Sequence, residues 1–137
     1  MLEHISSHFI PILISTIICF ALGSLWYSQA LFGKKWMELI GKDFSKIPPV
    51  HSLKNYTGVF FVLLLFNFIM SIFIDLTDSV GMTQGIITGI GFWIGFSAAT
   101  VAINFLFEER PRILFFITVG YALVIFVISG ALFGMWR

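Results

Sequence analysis

The sequence predicts an all-α fold: a four-helix transmembrane bundle with one cytoplasmic-side interfacial amphipathic helix. Three observations predict it. Hydrophobic residues make up 58% of the 137 residues and charged residues only 11%, where a soluble chain carries about 25% charged. Seventeen phenylalanines are more than a soluble core of this size can bury. Four apolar runs are each long enough to cross a hydrocarbon core of ~30 Å, which takes about 20 helical residues. None of the four contains Lys, Arg or Glu, and Asp75 sits at the end of its run. Backbone groups in lipid must pair within their own segment, so each run is expected to be helical. The length fits a single integral membrane domain, residues 1–137.

The elements follow in order. The first span is expected over about residues 9–30, with Ser7 as its cap and Pro11 in its first turn. The preceding "MLEHISSHF" has no basic n-region and no small-residue cleavage site after it, so the run reads as a retained helix. An interfacial helix is expected over about 32–44. On a helical wheel Phe32, Trp36, Met37, Leu39, Ile40 and Phe44 share one face, while Lys34, Lys35, Glu38 and Lys42 share the other. Lysines suit lipid phosphates and Trp36 suits the interface, so this helix reads as an anchor; a mobile gate over a cavity is the sharper alternative. Trp26 and Tyr27 sit where the first span reaches the headgroups, and Gly33 permits the bend that follows. Pro48-Pro49 breaks the loop. The second span is expected over about 57–75, with Gly81 ending the turn after Asp78 and Thr83 opening the third span, about 85–107. Pro111 marks the start of the fourth, about 113–136.

Charge sets the expected orientation. Lys34, Lys35, Lys42, Lys46 and Lys54 lie between the first two spans, and Arg110 and Arg112 between the last two. Two helices separate these loops, so they share a side, which holds seven of the eight basic side chains. The positive-inside rule makes that side cytoplasmic, in a plasma (inner) membrane, with both termini outside. The single Cys19 excludes an intrachain disulfide, and a net charge of +1 gives no pull towards nucleic acid. The expected partners are the bilayer, and either further copies of the chain or another membrane protein.

Small and polar residues inside the spans are the candidates for packing or binding. Gly85 with Gly89, and Gly91 with Gly95, form two GxxxG pairs in the third span, and Gly130 with Gly134 repeats the spacing in the fourth. Such residues let helix backbones approach closely in lipid. Asn67 lies mid-span in the second helix and needs a partner, most simply an interhelical hydrogen bond. Ser24, Tyr27 and Gln29 on the first span share a depth with Thr100 and Asn104 on the third. With Glu108 and Arg110 they form a candidate cytoplasmic-side polar pocket; the plainer reading is helix packing and solvated loop charges. His4 and His8, four apart, offer two imidazoles on one face, with Asp75 or Asp78 as the further ligands a metal would need. Those aspartates read as helix-end markers instead, and neither a metal nor another cofactor is expected. No buried carboxylate pair, Cys/His cluster, phosphate loop or nucleophile elbow is present, so no catalytic residue is assigned.

The stretch "LGSLWYSQALFGKKWMELIG" resembles the opening signature of a bacterial family of small membrane proteins catalogued as domain of unknown function 1761. The stretches "GFWIGFSAATVAINFLFEERP" and "FFITVGYALVIFVISGAL" are similar to its third and fourth helices. The matching positions are Gly23, Trp26, Tyr27, Phe32, Gly33, Trp36, Asn104 and Pro111. The resemblance implies a four-helix integral membrane protein and brings no activity with it.

Three functional classes follow. The first is a small membrane protein acting through packing with membrane partners or lipids. The second is an oligomeric transporter or channel for a small solute, although the chain lacks the essential first-helix glutamate of the small multidrug exporters. The third is a membrane enzyme on a lipophilic substrate, although the Arg-rich motifs of the four-helix glutathione-dependent trimers are not evident.

Overall fold

The computed structural model describes residues 2–41 and 49–137. Among them there is only helix, turn and loop, and four helices are long and apolar enough to cross a membrane. Helix α1 is Leu2–Trp26, α2 is Gly33–Ile40 and α3 is Pro49–Leu76. The third span runs from Met82 to Glu108 as α4 (Met82–Phe92), a wide π turn (Trp93–Ala98) and α5 (Ala99–Glu108). Helix α6 is Arg112–Trp136. It is the hub, packing on α1, on α3 and along the third span.

Helix α1 starts and ends earlier than the residue pattern predicts. The hydroxyls of Ser6 and Ser7 each donate to the Glu3 carbonyl at 2.9 Å, so Ser7 lies inside the helix rather than capping it. Pro11 sits in the interior. It deprives the Ser7 carbonyl of one helical bond, a loss that neighbouring groups make good in membrane helices. At the other end Ser28 Oγ donates to the Leu25 carbonyl at 2.6 Å. The Phe32 amide then reaches Trp26 O at 3.0 Å and the Gly33 amide reaches Ser28 O at 2.8 Å. This tight turn replaces the expected last helical turn to Ala30. Any Cβ at residue 33 would collide with the backbone of Tyr27 and Ser28, so only glycine closes it. Helix α2 buries Gly33 and Met37 and exposes Lys34, Lys35 and Glu38. It ends at Gly41 in the left-handed region (φ 73°). The expected continuation through Lys42 to Phe44 lies outside the described residues.

Glycine decides how the third and fourth spans meet. A Cβ on Gly85 would overlap the Gly130 carbonyl, one on Gly130 would overlap Gly85, and one on Gly89 would overlap the Phe126 carbonyl. The Gly81 amide donates to the Gly134 carbonyl at 2.8 Å across the same seam. Gly91 and Gly95 do not join it. Apart from their own stretch of helix, no described atom lies within 4 Å of where their Cβ atoms would stand, and both are exposed. The reason is angular. Two residues advance a helix by about 200°, so the pair that ends at 89 and the pair that begins at 91 point to opposite sides.

The middle of the bundle is polar and satisfied. Ser15 and Ser129 both donate to Asn67 Oδ1, at 2.6 and 2.7 Å, and Asn67 Nδ2 donates to the Leu63 carbonyl at 2.9 Å. Three helices are thereby tied at one point, with buried Cys19 beside Ser129. Among the described residues no buried side-chain nitrogen or oxygen lacks a partner. Ile12, Met70, Ile74 and Phe133 form the apolar cluster next to this layer.

Candidate functional site

Two ends of the bundle carry the chemistry-bearing side chains. At the end holding Lys35, the turn after α1 builds an aromatic cluster. Tyr27 packs edge-on against Trp36 (5.0 Å between centroids) and Tyr121 (5.7 Å), and Trp26 lies on Phe32 at 4.6 Å. Polar tips fix the rings. Trp26 Nε1 donates to Ile117 O at 3.0 Å, Tyr121 Oη to Cys19 O at 2.9 Å, and Trp93 Nε1 to Val119 O at 2.9 Å. Tyr121 lies over Gly23, where a Cβ would come within 2.5 Å of its hydroxyl, and Trp26 lies over Gly120. Burial pushes the Tyr27 phenol above its usual range, so it stays neutral. The cluster is a structural latch that holds α2 across the end of the bundle.

The seven residues expected to share one polar pocket are not brought together. Ser24 turns back to the Phe20 carbonyl and Thr100 to the Phe96 carbonyl. Gln29, Thr100 and Asn104 are exposed. Glu108 pairs with Arg110, whose guanidinium lies 5.6 Å from the Phe105 ring. Helix α6 is the physical reason: it stands between α1 and α5, so the single pocket becomes two apolar clefts. One, of about 580 Å³, is lined by Phe105, Phe115 and Phe116 with Arg110 and Arg112 at its rim. The other, of about 400 Å³, is lined by Trp26, Phe32, Lys35 and Ile117. Of the expected anchor residues, Trp26, Phe32 and Lys35 line this second cleft, Lys34 is exposed, and Trp36 packs on Tyr27.

At the opposite end the structure assembles a cluster that residue spacing only half reveals. His4 Nδ1 lies 3.0 Å from Asp75 Oδ2, and His8 Nε2 lies 3.6 Å from the same oxygen. The two rings stack at 4.2 Å with 12° between their planes. Arg137 Nε faces the other oxygen, Asp75 Oδ1, at 3.4 Å, and its Nη2 donates to Asp78 Oδ1 at 3.0 Å. Asp75 is therefore more than a helix-end marker. The i,i+4 histidines were visible in the sequence, but their meeting with Asp75 depends on the register of α1 against α3.

Residues 10–134 match the model of a family described as Protein of unknown function (DUF1761). The chain belongs to that family. No curated protein and no solved structure matches it.

Proposed function

We propose that this member of the DUF1761 family acts in the membrane by packing against partner helices, and that the outward face of its third span is the surface it uses. The observation that carries this reading is the position of Gly91, Gly95, Thr100 and Asn104. All four are exposed on the third span, and no other described helix lies within 4 Å of where a Cβ would stand on either glycine. Glycine facing lipid leaves a shallow groove that attracts nothing, whereas glycine facing another helix permits close approach. An asparagine amide at membrane depth is costly unless it finds a partner. A second copy of the chain is the simplest occupant. Around a two-fold axis along the membrane normal, glycine meets glycine and each amide can both donate and accept. The satisfied polar layer around Asn67 supports a packing role over a solute path.

The test is self-association in bilayers, read as energy transfer between labelled chains diluted with lipid. Wild type is expected to associate, and G91L/G95L is expected to be monomeric with an unchanged helix content. Equal association of the two would remove this face as the interface.

The same reading places the Lys35 end on the cytoplasmic side, with α2 at the headgroups and both termini outside. The support is the clustering of Lys34, Lys35, Arg110 and Arg112 at that end. An impermeant thiol reagent added to intact cells is expected to modify V80C and spare K34C. The reverse pattern would invert the orientation.

A further inference from the structure

We propose that His4, His8 and Asp75 form a binding site for one divalent transition-metal ion of the zinc class, with His4 Nδ1, His8 Nε2 and Asp75 Oδ2 as ligands. The proton bookkeeping of the cluster leads there. Ser71 Oγ donates its single proton to the Phe68 carbonyl at 2.7 Å. With its proton there it accepts at its 2.9 Å contact with His4 Nε2, and in that tautomer Nε2 carries the hydrogen. In a neutral imidazole the other nitrogen, Nδ1, is then a bare lone pair, and it faces a carboxylate oxygen at 3.0 Å. His8 repeats the arrangement. Its Nδ1 is 3.3 Å from the His4 carbonyl, which can only accept. It is also 2.9 Å from Ser7 Oγ, which accepts there when its own proton goes to the Glu3 or His4 carbonyl. With the hydrogen on Nδ1, His8 Nε2 is the bare nitrogen, 3.6 Å from the same Asp75 oxygen.

Three potential ligand atoms lie within 4.8 Å of one another, and one ion reaches all three once the stacked rings, whose planes are 12° apart, tilt so that their lone pairs meet. A proton on His4 would satisfy one pair of donors. A metal ion satisfies all three. Ligands at ~2.0–2.1 Å from a tetrahedral zinc stand about 3.3 Å from one another. The contacts of 3.0 and 3.6 Å bracket that spacing, and all three donor atoms lie within 4.8 Å of one another. The surroundings also fit a metal site, in which ligating imidazoles donate their second N–H and ligating carboxylates are hydrogen-bonded in turn. Ser71 serves His4, Ser7 and the His4 carbonyl serve His8, and Arg137 holds Asp75 by the oxygen that does not face the histidines. His4, His8 and Asp75 side chains are 18%, 15% and 29% exposed, so the site opens to solvent and leaves a fourth position for water.

The experiment uses the full chain, purified without a polyhistidine tag and reconstituted in phosphatidylcholine nanodiscs. It is titrated with Co²⁺ and then with Zn²⁺. Wild type is expected to give the visible absorption bands of tetrahedral cobalt, displaced by one equivalent of zinc. H8Q is expected to weaken zinc binding at least about 100-fold, and S71A, which keeps every ligand and removes only the acceptor for His4 Nε2, about 10-fold. H51Q is expected to bind as wild type does. Absence of tetrahedral cobalt bands in wild type would overturn the site, and the cluster would then be a histidine–aspartate ion pair. Equal binding by wild type, H8Q and S71A would overturn it as well.

Discussion

The third span carries the same motif twice, with opposite outcomes. Gly85 and Gly89 vanish into the seam with α6, where a single methyl group would strike a carbonyl of the facing helix. Gly91 and Gly95, one half-turn further round, face no other described helix within 4 Å of where a Cβ would stand. The two asparagines of the spans divide in the same way: Asn67 is fully buried and bonded to two serines, while Asn104, near the end of the third span, is exposed. A GxxxG spacing therefore states that a backbone is available for close approach. Which helix approaches it is decided by angle and by the partner's own surface. Here Gly130 and Gly134 supply the matching surface for one pair, and no described residue supplies one for the other.

Substitution at the inward pair has the largest expected effect. G85L forces α4 away from Gly130 and is expected to destabilise the chain by about 3 kcal/mol, the upper end for overpacking. Unfolding in mixed detergent micelles measures it, and a change below about 0.5 kcal/mol would dissolve the distinction between the two pairs. N67L comes next. It strips two serine hydroxyls of their shared acceptor and is expected to cost about 1 kcal/mol in the same assay, as interhelical hydrogen bonds in membranes do. G91L/G95L is expected to change detergent unfolding by less than about 0.5 kcal/mol, because the added side chains meet open space. Its effect belongs in the bilayer, on association.

Much of this architecture is legible in the residues. Helices cross lipid because backbone groups there have nowhere else to pair, so four long apolar runs leave little choice. Pro111 and Gly81 mark boundaries that the structure reproduces at the start of α6 and of α4. The ends of α1 were less legible. Ser7 can cap forward or bond backward, and only the extension of the helix to Leu2 decides between them. The turn at 27–32 hinges on a backbone contact at Gly33 that no periodicity encodes. The polar pocket failed as an expectation because equal depth in the membrane is not proximity. Helix α6 separates Tyr27 from Thr100 and Asn104, and the order of helices around a bundle is not written in their lengths. The His4–His8–Asp75 cluster was half legible for a related reason, since intrahelical spacing gives two ligands and interhelical register gives the third.

The most direct test of the outward face is cysteine cross-linking in native membranes. G95C is compared with L65C, a position 61% exposed on α3, and with wild type, whose Cys19 is fully buried. Under mild oxidation G95C is expected to give a disulfide-linked dimer while L65C and wild type stay monomeric. Equal cross-linking at 95 and 65, or none at 95, would contradict a self-association face on the third span.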